Sequence, residues 1–202
     1  MLLENNHFAV QIDESTGAVV SLLAKAAGSD LIGEKRLVAN FRLCLPLKDY
    51  QCNYIEGMQQ PPSTLSRTGD IVTVCYSGLT SPQGTFRIDL SYDIELKENE
   101  IRFRARLVNH EPQAISEFWF PRLGGWTQFG KDREAKTAVP GYISCEHSHA
   151  LFREFPGAQG LGAEAAEWSI DYPGMTMPWI DLHDPRTDAG LYLGYHDEIF
   201  RY

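Results

Sequence analysis

The segment TFRIDLSYDIELKENEIRFRARLVN, residues 85–109, decides the fold class of this chain. Apolar residues occupy every second position from Phe86 to Leu96 and again from Ile101 to Leu107. The polar residues 97–100 separate the two runs. Alternation with a period of two is typical of strands that bury one face. The segment therefore predicts a β-hairpin with its turn centred on residues 98–99.

A turn at this place also fixes which residues lie opposite each other. Leu96 would oppose Ile101, and on the other face Glu95 would oppose Arg102. The same register gives three further pairs: Ile94 with Phe103, Leu90 with Leu107, and Asp93 with Arg104. A slip by one residue would turn arginines into the core, so the alternation specifies the register. Because carboxylates oppose them, the arginines indicate a solvated hairpin face rather than a phosphate site.

Strand patterns continue on both sides of this hairpin. Residues 8–12 and 18–23 flank a turn-rich segment and predict an opening hairpin. Residues 41–45 alternate, and the β-branched run 71–76 suits a strand buried on both faces. Residues 179–183 and 191–195 predict a late hairpin around the turn residues 184–188. Helix signals are confined to residues 22–27 and 162–168, which are too short for convincing helices.

These patterns predict an all-β chain, folded as an antiparallel β-sandwich with very little helix. The length predicts a single domain, residues 1–202. A strand pattern that runs almost to Tyr202 suggests that this domain is an N-terminal fragment of a longer multidomain enzyme. The formal net charge of −9 disfavours nucleic acid as a partner. No apolar run approaches the roughly 20 residues that span a bilayer, so no membrane association is expected. The first residues lack signal-peptide features, which favours the cytoplasm.

The four cysteines, Cys44, Cys52, Cys75 and Cys145, form no C-x-x-C pair. A structural zinc site is therefore not expected, and no cofactor is implied. Small thiols are commonly buried, which predicts reduced cysteines in the core. No nucleophile elbow, phosphate loop or dinucleotide fingerprint is present, and the acidic residues cannot be paired from sequence, so no catalytic set is assigned.

The aromatic segment FWFPRLGGW, residues 118–126, is the first candidate for a binding surface. Pro121 would end the strand, because proline cannot donate to the ladder. Two glycines then permit a tight backbone path that presents Trp126. Tryptophan faces stack on sugar C–H surfaces beside a polar rim. Trp119 and Phe120 are expected in the core, whereas Trp126 either contacts a sugar or caps the edge of the sandwich.

Two further segments add candidate residues. The loop YPGMTMPW, residues 172–179, crowds aromatic, methionine and proline side chains as in surfaces that hold a sugar. His147 and His149 lie two residues apart in CEHSH, so they would face the same side if this segment were extended. They could then bind a metal, but the third and fourth ligands that such a site needs are not identifiable from the sequence. A polar loop with ordinary histidines is favoured, and these could hydrogen-bond a sugar hydroxyl. The predicted carbohydrate-binding residues are Arg122, Trp126, His147, His149, Tyr172 and Trp179.

Three segments together resemble the N-terminal domain of certain large glycoside hydrolases, which has the galactose-mutarotase-like, or supersandwich, fold. They are NHFAVQID with TG and SL between residues 6 and 22, FPRLGG at residues 120–125, and residues 172–197 with YPGM, MPW, GLYLG and HD. The resemblance implies a downstream (β/α)8 barrel as the catalytic partner, with sandwich loops bordering its cleft. It also implies a role in carbohydrate metabolism.

Three functions follow as alternatives. The first is a non-catalytic accessory domain of a carbohydrate-active enzyme that supports the downstream catalytic domain and contacts an oligosaccharide or polysaccharide. The second is a stand-alone aldose mutarotase or epimerase. That activity needs a His and a Glu in the family pattern, and this pair cannot be mapped onto the chain. The third is a structural or interaction module, which predicts that Trp126 and Trp179 are buried.

Overall fold

A computed structural model describes residues 1–125, 136–139, 145–147, 179–184 and 189–194. The chain divides into two compact units, Met1–Leu23 with Glu34–Gly125, and Ala24–Gly33 with Trp126–Tyr202. The described strands, in chain order, are β1 (Leu2–Glu4), β2 (Phe8–Ile12), β3 (Val19–Ala24), β4 (Ser29–Asp30), β5 (Arg42–Cys44), β6 (Tyr54–Glu56), β7 (Thr64–Thr68), β8 (Ile71–Ser81), β9 (Gly84–Leu96), β10 (Ile101–Asn109), β11 (Glu117–Trp119), β12 (Lys136–Val139), β13 (Cys145–His147), β14 (Trp179–Asp184) and β15 (Ala189–Gly194).

The all-β prediction is confirmed. The helices among the described residues are two single-turn 3₁₀ segments, Lys35–Leu37 and Gly57–Gln59. In the first unit, β7 to β10 form one antiparallel sheet in the order β10-β9-β8-β7, and β11, β5 and β6 form another. The prediction of one domain over the whole chain stays a prediction.

The central hairpin has the register that its alternation predicts. Leu96 pairs with Ile101 and Glu95 pairs with Arg102. The other predicted pairs, Ile94 with Phe103, Leu90 with Leu107 and Asp93 with Arg104, are also present. Inward-facing β9 residues from Ile88 to Leu96 are at most 4% exposed. The buried face of β9 therefore fixes the register, as the pleat requires.

The ion pairs of this hairpin differ from the expected directly opposed pairs. Arg104 Nη1 lies 3.1 Å from Glu95 Oε2, which is a diagonal contact. Asp93 instead accepts a hydrogen bond of 2.6 Å from the Thr73 hydroxyl on β8. Long arginine side chains reach diagonal neighbours about as easily as opposite ones. The backbone register is therefore predictable from sequence, whereas the individual charge contacts are not.

The opening hairpin is confirmed, and one finer prediction is corrected. Residues 22–24 end β3 and a four-residue turn follows, in which the Gly28 N–H donates to the Ala24 carbonyl at 3.0 Å, so residues 22–27 form no helix longer than this turn. On β8, Val72 and Val74 are fully buried, but the alternate residues Ile71 and Thr73 are only half-buried. The β-branched run therefore buries one face rather than both, because β-branched residues also suit half-exposed strand positions.

The cysteine prediction is correct only in part. Cys44, Cys52 and Cys75 are free thiols. Cys44 is buried and Cys75 is half-buried, but Cys52 is exposed in the loop before β6. The side chain of Cys145 lies outside the described residues. Position in a strand, rather than residue type alone, decides which thiols are buried here.

A buried hydrogen-bond network joins the β2–β3 turn to the large sheet of the first unit. The Tyr76 hydroxyl donates to the Thr16 carbonyl at 2.6 Å, and the Tyr92 hydroxyl donates to the Gly17 carbonyl at 2.8 Å. Asn40 Nδ2 donates to the same Thr16 carbonyl at 2.7 Å. Burial raises the pKa of Tyr76 to about 12 and also raises that of Tyr92. Both hydroxyls therefore stay protonated donors, and the turn carbonyls are satisfied without water.

From residue 126 onward, the structure describes only the strands of the second unit. β12 to β15 form an antiparallel sheet in the order β13-β12-β14-β15. The late hairpin is confirmed, since Trp179 on β14 pairs with Gly194 on β15, while residues 185–188 lie outside the described part. Residues 145–147 were expected in a polar loop, but they form strand β13 and pair with β12. Within the described residues, no helix is long and apolar enough to cross a membrane.

Candidate functional site

The sheet of β11, β5 and β6 has two chemically different faces. Its central row on one face is Phe118, Leu43 and Ile55, and the last two are fully buried. Side chains alternate across a strand, so the neighbouring rows point the other way. Those rows pair Trp119 with Arg42 and Glu56, and Glu117 with Cys44 and Tyr54. One face thus closes the core and the other carries aromatic and charged groups.

Trp119 is the most exposed aromatic side chain on this sheet, with 47% of its surface accessible. The prediction that Trp119 belongs to the core is therefore wrong. Phe118 and Phe120 occupy the alternate positions, and their rings stack with centroids 6.0 Å apart. Phe120 also contacts Tyr92 of the core at 5.0 Å between ring centroids. Consecutive strand residues face opposite sides of a sheet, so the inward-facing, half-buried Phe118 leaves the next residue, Trp119, facing outward.

Arg42 lies between two aromatic rings of the outward face. Its guanidinium carbon is 3.7 Å from the centroid of the Tyr54 ring and 5.8 Å from that of Trp119. Cation–π contacts of this kind contribute about 0.5–2 kcal/mol depending on exposure. The Arg42 side chain is only 27% exposed. The rings therefore hold the guanidinium in one orientation.

Glu56 connects Arg42 to a second arginine. Its Oε1 lies 2.9 Å from Arg42 Nε, and its Oε2 lies 2.9 Å from Arg122 Nη1. Arg42 Nε is buried and makes no hydrogen bond of good geometry, so that contact is an ion pair only. Arg122 also sits 5.9 Å from the Trp119 ring centroid. We call this group the Trp119 platform; its residues are Arg42, Tyr54, Glu56, Glu117, Trp119 and Arg122.

Glu117 anchors the aromatic side of the Trp119 platform. The Trp119 indole N–H donates to Glu117 Oε2 at 3.1 Å, and the Tyr54 hydroxyl lies 3.3 Å from Oε1. The negative charge of Glu117 raises the pKa of Tyr54, with a further contribution from burial. The Tyr54 hydroxyl therefore stays a donor near neutral pH. Both rings are thus oriented by the protein itself before any ligand is bound.

A close backbone approach holds the loop that carries Arg122. The Arg122 N–H donates to the Asn40 carbonyl at 2.9 Å. A β-carbon on Gly124 would clash with the backbone carbonyl of Leu37, which lies against it. The expected tight path at residues 124–125 is confirmed for Gly124. Glycine is needed there because the obstacle is backbone, which cannot rotate away.

Gly124→Ala should therefore lower the free energy of unfolding by about 1–3 kcal/mol, the usual cost of overpacking. Urea denaturation followed by circular dichroism measures this change. Leu37→Ala is the control, since it trims a side chain that is 42% exposed and leaves the carbonyl in place. An unchanged midpoint for Gly124→Ala would show that the loop can move aside.

Of the six predicted binding residues, the structure describes the side chain of one. Arg122 belongs to the Trp119 platform. His147 lies on β13 and Trp179 on β14, with only their backbone described. Trp126, His149 and Tyr172 lie outside the described residues. The sequence analysis did not identify the other members of the Trp119 platform, which are Arg42, Tyr54, Glu56, Glu117 and Trp119. For Trp119 a sequence signal exists, because it lies between Phe118 and Phe120 and strand alternation places it on the opposite face from them.

The Trp119 platform combines apolar and polar groups on one sheet face. Two guanidinium groups lie over the ring of the half-exposed Trp119, with carboxylate and hydroxyl groups beside them. Among the described residues, no group of three or more His, Cys, Asp or Glu side chains is arranged to hold a metal. Neither a protein-family model nor a curated protein sequence matches this chain. The resemblance to a glycoside hydrolase domain therefore stays a prediction from the residues.

Proposed function

We propose that this chain is a carbohydrate-contacting accessory β-sandwich domain of a carbohydrate-active enzyme and is not itself catalytic. The observation that carries the proposal is the half-exposed indole of Trp119, which is oriented on a sheet and contacted over its ring by two arginines. Sugar rings present C–H faces that stack on such an indole, and hydroxyls that need polar partners. The Trp119 platform supplies both kinds of contact within one sheet face.

Preorganisation adds to this proposal. Trp119 is tied to Glu117 by its indole N–H, and Arg42 is packed against the Tyr54 ring. Side chains that are already ordered lose little entropy when a ligand binds. A site of this construction gains affinity without moving, which suits a domain that positions a glycan for chemistry elsewhere.

The proposed role beside a catalytic domain comes from the resemblance to glycoside hydrolases. A downstream catalytic barrel would cleave the glycan, and this domain would support the barrel and border its cleft with its loops. The supersandwich fold is part of the same proposal. A hydrolysis assay on this chain alone should show no turnover, and polarimetry of fresh glucose or galactose should show no accelerated mutarotation. Clear activity in either assay would overturn the accessory role.

Trp119→Ala should weaken glycan binding at least tenfold, or about 1.4 kcal/mol. The stacking surface is removed, while a half-exposed residue contributes little to the core. Isothermal titration calorimetry of the whole chain against a panel of neutral and acidic oligosaccharides measures the effect. Circular dichroism checks that the variant remains folded.

Tyr50→Ala is the matched control for this substitution. Tyr50 is also an exposed aromatic residue, at 48%, but it lies in the β5–β6 loop and not on the Trp119 platform. It should leave glycan affinity unchanged. If the panel shows no binding, or if both variants weaken binding equally, the Trp119 platform is not a glycan site.

One observation favours a second candidate, an interaction module. Tryptophan, tyrosine and arginine are the residues most enriched at the energetic centres of protein interfaces, and the Trp119 platform contains all three. This function takes precedence if no glycan binds and if Trp119→Ala abolishes a concentration-dependent self-association seen by light scattering.

A further inference from the structure

We infer that the Trp119 platform selects sugars that carry a carboxylate, such as uronic acids. This inference rests on the proposed function and specifies its ligand. It comes from comparing the hydrogen-bonding groups already used within the Trp119 platform with those that remain.

Each carboxylate oxygen of the Trp119 platform already has one cationic or hydrogen-bonding partner. Both Glu56 oxygens lie 2.9 Å from a guanidinium nitrogen, one from each arginine. The Glu117 oxygens face the Trp119 indole N–H at 3.1 Å and the Tyr54 hydroxyl at 3.3 Å. A ligand hydroxyl that donates to one of these four oxygens would therefore share it with a group of the protein.

The donors, in contrast, are only partly used. Each guanidinium carries N–H groups on three nitrogens, and one nitrogen of each contacts Glu56. For Arg122, Nη1 is used, which leaves Nε and Nη2 in the described structure. For Arg42, Nε is buried beside Glu56 in an ion pair without a hydrogen bond, and the two terminal nitrogens have no hydrogen-bond partner among the described residues. Within the described part of the chain, N–H donors of the two arginines therefore make up most of the unused hydrogen-bonding groups beside the indole.

A carboxylate fits this surplus better than a hydroxyl does. It accepts only, and its two oxygens match the fork of a guanidinium in a bidentate contact. On a uronic acid, the carboxylate extends from the edge of the sugar ring. Arg122 lies over the Trp119 ring, with its guanidinium carbon 5.9 Å from the ring centroid, so the carboxylate of a uronic acid that contacts the exposed part of the indole comes within reach of Arg122.

The test compares a galacturonic acid trimer with its methyl ester, which has the same ring but no charge. Calorimetry on the whole chain should show at least tenfold tighter binding of the acid. Arg122→Gln should remove this difference by weakening the acid and leaving the ester unchanged. Raising the sodium chloride concentration should weaken the acid alone, because salt screens exposed charges.

Arg87→Gln is the control, because Arg87 is an exposed arginine paired with Glu111 away from the Trp119 platform. It should leave both ligands unaffected. Equal binding of acid and ester, or equal weakening of both by Arg122→Gln, overturns the carboxylate preference but leaves the proposed function standing. Stronger binding of a sulfated galactose trimer than of the acid also overturns it, since charge alone would then decide. If no glycan binds, the proposed function fails as well.

Discussion

Gly17→Ala should destabilise the protein by about 3–5 kcal/mol, combining backbone strain with the loss of buried hydrogen bonds. Gly17 has a φ of +71°, which L-residues adopt at a cost of about 1–2 kcal/mol. A β-carbon there would lie 2.5 Å from the hydroxyl oxygens of both Tyr76 and Tyr92. These hydroxyls would have to leave the carbonyls of Thr16 and Gly17. Each buried polar group left without a partner costs about 1–3 kcal/mol.

The measurement is the free energy of unfolding from urea titration. Gly69→Ala is the matched control, because Gly69 has a similar φ of +59° and nothing within 4 Å of its β-carbon position. It should show the backbone cost alone. We call the hydrogen bonds of Asn40, Tyr76 and Tyr92 to the turn carbonyls the tyrosine network. If the two variants are equally destabilised, the tyrosine network adds nothing to the stability of the turn.

The strands were predictable because each buries one face. Residues 85–109 contain enough alternation to fix both the hairpin and its register, and the structure has that register. The diagonal contact of Arg104 with Glu95 was not predictable. Several rotamers of a long side chain are nearly equal in energy at an exposed position, so no pattern of residue types specifies one of them.

The Trp119 platform was less predictable for two reasons. Residue type favours burial of tryptophan, and this preference led to the wrong assignment of Trp119 to the core. Alternation along β11 would have corrected it, because Phe118 pairs with the fully buried Leu43 and faces inward, so that Trp119 faces outward. Three members of the Trp119 platform, Arg42, Tyr54 and Glu56, come from β5 and β6, more than 60 residues earlier in the chain. Non-local pairing of this kind has no local sequence signal.

Phe41→Ala should lower the free energy of unfolding by about 3–5 kcal/mol, as for other large-to-small changes at buried aromatic residues. Phe41 is 1% exposed, and its ring meets Tyr76 edge-on with centroids 5.1 Å apart. Its backbone N–H also donates to the Asn40 side chain, which belongs to the tyrosine network. Removal of the ring leaves a cavity beside this network. Urea denaturation and the thermal midpoint report the loss.

Phe41→Leu keeps most of the apolar volume and should cost less than Phe41→Ala. Arg42 follows directly in the chain, and its side chain points to the opposite side, onto the Trp119 platform. Folded Phe41→Ala protein, kept cold, should therefore bind a glycan ligand with unchanged affinity. Trp119→Ala should show the reverse, with stability kept and affinity lost. If Phe41→Ala costs less than Phe41→Leu, or if it removes binding while still folded, stability and recognition are not divided between the two faces of this sheet.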